Sequence, residues 1–440
     1  MDPPEFVLRI VCIGDIGVTN NIIHIGDEAM FDEMVVQFRR RGVTEIVGLS
    51  SDPAESSARY GITALRRIGF FTGGDTARAK AEDRMDRVLR SAQGVTNLLP
   101  SNDPAWAVID AVRSSDGVAV AGGGNLMSTW PTHIFERATL GALARLFSKP
   151  LVVSGQTIGP YLSAEDEKLV GTLLSSASLV GLRERPSYDY SLRLGVPEAL
   201  LAQTIDDASF LGVETPAGAV PAVVDATSHA QPARPYCVVS LANHIDGQDP
   251  DLFDARMAEL LDHVAASTGL DIVFFAHFGS TEATVSHGDT LVHERVQSRM
   301  TASFRTVLPS TSVAAAQLAR AASLSISLRY HPAVFAVSAA VPTIGIAVDE
   351  YTTTKLTGAL GNFGQDAVLP LASLLAGQAA ALTDRVWDER AAISAAGTDV
   401  VATNRRASID RWDSIVAAFV RPEREGDDTP QQSLIGRNLL

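Results

Sequence analysis

Short apolar runs, each ending in a glycine-bearing loop and followed by a helix-like stretch, recur along this chain. That alternation leaves few folds open. Residues 6–13 read as a strand that runs into a polar, Gly/Asn-rich loop from Gly14 to Gly26, with a helix expected from Asp27 through Arg40. Residues 45–49 form a second strand, and residues 79–89 and 104–112 read as helices. The strand at 117–121 leads into Gly122-Gly123-Gly124-Asn125. The strand at 151–154 leads into Gly155-Gln156-Thr157-Ile158-Gly159-Pro160, and that at 179–182 into Arg183-Glu184-Arg185-Pro186-Ser187. Strand, loop and helix in repetition describe a parallel sheet with helices on both faces. Between residues 213 and 235 Pro, Ala, Gly and Thr crowd together without apolar periodicity, the texture of a linker. A second set of strands follows at 236–241, 271–276, 324–328 and 343–348, with a closing helix at 409–419. The expected architecture is α/β: two domains facing each other across a cleft, residues 1–212 and 236–422, joined by 213–235 and trailed by a frayed tail, 423–440.

The stretch from Ser323 to His331 carries the sharpest chemical signal. Its apolar residues alternate up to Leu328, as in a buried strand, and Pro332 suits the first turn of the helix that follows. Arg329 and His331 therefore fall at a strand's carboxyl end on the lip of a helix N-terminus. Open α/β sheets bind ligands there, and the free N–H groups favour an anion. Arginine supplies a fork suited to carboxylate or phosphate, and histidine can carry a proton near neutral pH.

Other strand ends add candidates. Gly122, Gly123, Gly124 and Asn125 would let a backbone approach a ligand closely. Arg183 and Arg185 sit where they could clamp one end of a dianion, although Arg183 and Arg185 could equally pair with Glu184. Lys355 follows the strand at 343–348 and faces the same cleft in this reading. Asp27, beside Gly26 at a loop mouth, is a candidate to accept a hydrogen bond from a substrate hydroxyl or to act as general base. Glu28 reads more simply as a first-turn acid favoured by the helix dipole. His277 and His287, with Glu282 and Asp289, do not fit a compact metal-ligand pattern and are taken as acceptor-side or structural.

The bulk composition narrows the partners. A chain of 440 residues holds two to three domains, and 46% hydrophobic with 20% charged residues is ordinary for a folded soluble protein. A net charge of −15 argues against nucleic acid or anionic membrane as the main partner. Cys12 and Cys237 lie in apolar runs and read as buried thiols. The acidic first five residues lack the basic start of a signal peptide, and no apolar run reaches membrane-spanning length, so a cytoplasmic protein is expected. Gly14-Asp15-Ile16-Gly17 is not a dinucleotide fingerprint and no Walker motif occurs. No nicotinamide, flavin or metal cofactor is therefore expected.

Taken in order, these stretches resemble the polysaccharide pyruvyl transferases. The likeness rests on Gly26-Asp27-Glu28-Ala29, Gly122-Gly123-Gly124-Asn125, the Gly155–Pro160 loop, Arg183 four residues before Ser187, and Asp206-Asp207-Ala208-Ser209-Phe210. It continues in Ser327-Leu328-Arg329-Tyr330-His331 and the run from Val341 through Lys355 to Gly364. One departure is Met127-Ser128-Thr129, where family members often place an acidic residue. The resemblance implies two Rossmann-like domains in a GT-B-like arrangement. It implies transfer of the pyruvyl group of phosphoenolpyruvate onto two hydroxyls of a sugar as a ketal, in cell-surface polysaccharide biosynthesis. The acceptor would be a sugar, an oligosaccharide or a lipid-linked sugar. The phosphoenolpyruvate site would then be lined by Arg329, His331 and Arg183, with Gln156 among the substrate-binding residues. Two rival functions share the expected fold: a GT-B glycosyltransferase using a nucleotide sugar, and a non-catalytic sugar-phosphate binding protein. The acceptor's identity stays open at this level, as does assembly into a homo-oligomer.

Overall fold

The computed structural model describes residues 8–70, 77–213 and 234–420. Nearly all of the expected linker and the whole expected tail lie outside the described residues. The strands are, in chain order, β1 (Leu8–Ile16), β2 (Ile22–His24), β3 (Val43–Ser50), β4 (Thr63–Arg66), β5 (Gly117–Val120), β6 (Gly123–Leu126), β7 (Leu151–Ile158), β8 (Leu179–Leu182), β9 (Leu201–Gln203), β10 (Tyr236–Ser240), β11 (Asp271–Phe275), β12 (Phe278–Ser280), β13 (Phe304–Val307), β14 (Leu324–Ser327), β15 (Thr343–Ala347) and β16 (Val368–Pro370).

They form two parallel sheets. The first has the order β4-β3-β1-β5-β7-β8-β9, with β6 also pairing to β7. The second has the order β13-β11-β10-β14-β15-β16. In each the strand order reverses beside the first strand, between β1 and β5 and between β10 and β14. Open α/β sheets bind their ligands at the carboxyl ends beside such a reversal.

The sequence produces these sheets through two-sided burial. Every residue of β5, β10, β14 and β15 is buried, as strands covered by helices on both faces require. Side chains alternate between faces. On β1, Val11 and Ile13 join the core formed with the helices Ala105–Arg113 and Pro131–Leu146, while Ile10 and Cys12 join Phe31 and Phe38 on the other side. Both cysteines are buried free thiols, and burial raises the pKa of each. Among the described residues no helix is long and apolar enough to cross a membrane.

Three features join the halves. The helix Ile25–Arg40 shares one apolar core with the helix Tyr330–Val337, through Ile25, Ala29 and Met30 against Tyr330, Ala333 and Val334. The stretch expected to be only a loop, Gly14 to Gly26, contains β2, which pairs antiparallel with β12 of the second half. His24 stacks on Phe278 in that pair, ring centroids 4.0 Å apart. Finally, the 31-residue helix Arg390–Val420 returns to the first half, where Trp412, Ile415, Val416 and Phe419 pack on the Ile10–Cys12 face of β1. Gly117 makes room for it, since a Cβ there would lie 2.2 Å from the Phe419 ring.

Candidate functional site

β14 ends at Ser327, whose hydroxyl donates to the Arg329 carbonyl at 2.7 Å. Arg329 is the N-cap of the helix Tyr330–Val337, with extended backbone angles of −82° and 144°. Its guanidinium is engaged through Nε and Nη2 by Asp289, with Nε 3.0 Å from Oδ2. Asp289 is fully buried and also accepts the backbone N–H groups of His277 and Phe278 at 3.1 and 2.9 Å. The Arg329 side chain remains 31% exposed, and Nη1 takes no part in the Asp289 pair. Charge-assisted forks of this kind fix geometry as well as energy.

His331, two residues on, points into the seam between the halves. It packs so closely on Gly26 that a Cβ at that position would lie 1.9 Å from Nδ1. Its Nε2 is buried without a hydrogen-bond partner, 3.7 Å from Asp206 Oδ2. Burial, then the nearby charges of Arg183 and Lys355, hold its pKa well below the ordinary histidine value. The ring is neutral at pH 7 in this state.

Arg183 arrives from the first half at the end of β8, fully buried. Nη1 donates to Asp206 at 2.6 Å, and Nε donates to Thr157 Oγ1 and Glu184 at 2.8 and 3.0 Å. The pairing with Glu184 is therefore real but buried, in contrast to an exposed surface pair, and Asp206 shares the charge. The guanidinium lies 4.4 Å over the Tyr330 ring, and Nη2 is buried without a partner. Lys355 converges on the same place: Nζ donates to the Tyr351 hydroxyl at 3.0 Å, and that hydroxyl donates to the Gly124 carbonyl at 2.7 Å. A Cβ on Gly124 would sit 3.1 Å from both Arg183 Nη2 and Lys355 Nζ. The glycine is needed because two cations and a phenol press on it.

The rest of the triple-glycine loop is held from below. Gly122 N–H donates to Asp207 Oδ2 at 3.2 Å; the same carboxylate accepts Ser154 Oγ at 3.0 Å and Arg411 Nη1 at 2.6 Å. Gly155, at φ +49°, leaves the space that Asp207 fills. Gln156 is fully buried under the loop, its amide donating to the Ala121 carbonyl at 2.5 Å. Its position is that of a support for Gly122 and Gly123. Arg185, by contrast, pairs with Asp189 on its own helix at 2.8 Å and is exposed.

Asp27 is half-buried in the first turn of the helix Ile25–Arg40, with its pKa raised by burial and by Asp15. Glu28 turns away: it accepts the Gly17 N–H at 2.9 Å and the buried Tyr60 hydroxyl, and burial pushes its pKa up to about 7. His277 is buried with Nδ1 3.2 Å from Ser240 Oγ, whereas His287 is exposed. Among the described residues no group of three or more His, Cys, Asp and Glu side chains is arranged to hold a metal ion.

Sequence reasoning missed one cluster. Asp15, at the end of β1, lies 2.8 Å from His133 Nδ1 and 3.4 Å from both Arg137 Nη2 and Arg67 Nη1, and it accepts the Asn125 amide. Burial opposes its charge, but Arg137, His133 and Arg67 outweigh burial and hold its carboxyl below the usual range. The available signal was position alone, an acid at the carboxyl end of the strand beside the switch point.

A family model described as polysaccharide pyruvyl transferase matches residues 24–350, a span containing Gly26, Arg183, Arg329 and His331. The chain belongs to that family. Its fold is GT-B-like, as solved structures show. It superposes on a UDP-GlcNAc 2-epimerase of Neisseria meningitidis solved with UDP-GlcNAc (TM-score 0.56, 11% identity, 91% of this chain and 100% of that one). It also superposes on CalG4, the calicheamicin glycosyltransferase (0.52, 14%, 94% and 98%). A third match is Alr3699/HepE of Anabaena in complex with UDP (0.51, 11%, 93% and 98%). No curated protein matches the chain. Identities this low carry the fold alone; the family places the enzyme among transferases acting on polysaccharide.

Proposed function

We propose that this transferase moves the pyruvyl group of phosphoenolpyruvate onto two hydroxyls of one sugar, forming a cyclic ketal in a cell-surface polysaccharide or its precursor. The observation that carries the reading is the convergence of Arg183 from one half with His331 and Lys355 from the other. Arg183 Nη2 and His331 Nε2 are both buried without hydrogen-bond partners there. Buried polar atoms of folded proteins are usually paired, and two unpaired nitrogens that meet beside a lysine suit a compact anionic ligand. Arg329, held by Asp289 but a third exposed, is the clamp for the donor's second charged end.

The chemistry balances without a cofactor or a covalent enzyme intermediate. A proton goes to the donor's methylene carbon, which becomes the methyl group. One sugar hydroxyl attacks the adjacent carbon, the C–O bond to phosphate breaks, and the second hydroxyl closes the ring. Two hydroxyl protons leave the acceptor; one is balanced by the new C–H bond and one by the released hydrogen phosphate. His331 is assigned to the donor side, as the acid or as a proton-carrying partner of phosphate. It is neutral in the free protein, so a phosphate dianion must raise its pKa for it to act as acid. Asp27, its carboxyl pKa raised beside Gly26, is a candidate for one deprotonation.

Protection against thermal unfolding tests the donor. Phosphoenolpyruvate should raise the Tm with a concentration dependence that follows binding to the native state, while UDP and GDP should not. Protection by a nucleotide and none by phosphoenolpyruvate would favour nucleotide-sugar glycosyl transfer and overturn the proposal.

A further inference from the structure

We propose that His133, oriented by Asp15, is the base that takes a proton from an acceptor hydroxyl. The inference rests on the reading of ketal formation, which requires two hydroxyl deprotonations and for which Asp27 provides one carboxylate.

His133 is in the first turn of the helix Pro131–Leu146, directly after the loop that begins at Gly122. Its Nδ1 lies 2.8 Å from Asp15 Oδ1. That carboxylate is closer to Nδ1 than Arg137 Nη1, at 3.4 Å, and favours the proton on Nδ1, which leaves Nε2 as the basic nitrogen, the arrangement by which an acid orients an imidazole for proton abstraction. Asp15 does not need the imidazole in order to be satisfied, because Arg137, Arg67 and the Asn125 amide already engage it. The dependence therefore runs from His133 to Asp15. The imidazole is 26% exposed, open enough to meet a sugar, whereas the carboxylate behind it is 11% exposed.

The pair also lies where an acceptor must come. Asn125 ties Asp15 to the glycine loop, and Gly124 of that loop touches Arg183 and Lys355. Asp27 feels the charges of Asp15, His133 and Lys355 together, and it neighbours Gly26, against which His331 packs. Asp27 thus stands next to the glycine that meets His331 and within reach of the charge of His133. In the step assigned to His133, Nε2 takes the proton as the hydroxyl oxygen bonds to the ketal carbon, and the proton passes on with released phosphate.

The test uses the full chain with phosphoenolpyruvate and a panel of p-nitrophenyl hexosides, following phosphate release and sugar product. His133→Ala should lose about 10²- to 10⁴-fold in turnover, with thermal protection by phosphoenolpyruvate unchanged. Added imidazole should restore part of the rate in proportion to its concentration, which a purely structural residue would not allow. His133→Gln, which keeps a polar side chain, should be as inactive but without rescue. Turnover of His133→Ala within about tenfold of wild type, or a loss that imidazole does not restore, overturns the assignment while leaving the transferase reading intact. No transfer by the wild-type chain on any hexoside, together with no protection by phosphoenolpyruvate, overturns that reading and the assignment with it.

Discussion

His331 and Arg329 are two residues apart, yet the structure gives them different surroundings. Arg329 is braced by a buried carboxylate and keeps part of its surface open, while His331 is sealed against Gly26 and stripped of its proton by burial and two cations. This difference sets separate expectations for each. Arg329→Lys keeps the charge but cannot match both Asp289 and a ligand with one ammonium, so it should lose most activity and weaken donor binding. Near-normal turnover with unchanged affinity for phosphoenolpyruvate would end its role as a clamp. For His331, the sign of the proton linkage is fixed. Its pKa is low in the free protein and would rise beside a bound dianion, so donor binding at pH 7.5 should take up protons. Affinity should then weaken as pH rises through the bound-state pKa. Calorimetry in buffers of different ionisation enthalpy reads this directly. Binding without proton uptake in wild type, or the same uptake in His331→Ala, would remove His331 as the acid.

At the scale of elements, the decisive contact is a helix start against a helix start. The helix Ile25–Arg40 brings Gly26 to His331 of the helix Tyr330–Val337, with no space for a methyl group between them. Gly26→Ala should therefore displace the imidazole and reduce turnover sharply. Gly361→Ala, where nothing lies within 4 Å of the added Cβ, serves as the control and should leave activity unchanged. Equal activity in the two variants, measured with the same acceptor, would show that the Gly26 contact does not matter. These elements were legible in the sequence to different degrees. The strand ends at Arg183 and Arg329 and the glycine loops could be read because their signals are local, an apolar run followed by a breaker. β2 escaped because three residues acquire strand geometry only by pairing with β12, some 250 positions away. Asp15 and His133 escaped for the same reason: separated in sequence by more than a hundred residues, they meet only when β1 and the helix Pro131–Leu146 pack together. Arg411, which reaches back from the long final helix to Asp207 beneath the glycine loop, had no local signature either.

Over the whole molecule, contacts link first half, second half and C-terminal helix, and some of the buried acids work against stability. Glu28 and Glu33 both lie in the helix that joins the halves, and burial pushes each from 4.5 up to about 7. An acid whose pKa is raised on folding binds more protons in the native state, so its penalty is absent below the unfolded value, grows between about 4.5 and 7, and is complete above that. At most about 3 kcal/mol per group is involved. Asp15 and Asp103 are shifted the other way and change below the ordinary carboxylate range, whereas burial lowers the pKa of His24, His277, His293 and His331 from 6.5, so these four favour folding more as pH rises toward that value. The acids and the histidines act in the same window with opposite signs, so the share of Glu33 is read by difference: the Tm of Glu33→Gln relative to wild type should rise as pH goes from about 5 to about 7. A Tm difference between Glu33→Gln and wild type that is the same at both ends of the window would contradict the burial account of Glu33.

In the proposed reaction the donor is phosphoenolpyruvate and the product a ketal, formed where Arg183, His331 and Lys355 meet. The most direct measurement is NMR of the acceptor after incubation with phosphoenolpyruvate labelled with ¹³C at its central carbon. Ketal formation should give a labelled quaternary carbon bonded to two oxygens of one sugar, formed with release of phosphate and lost in His331→Ala. Labelled phosphoenolpyruvate recovered intact, while a nucleotide sugar is consumed and a glycosidic bond appears, would contradict it.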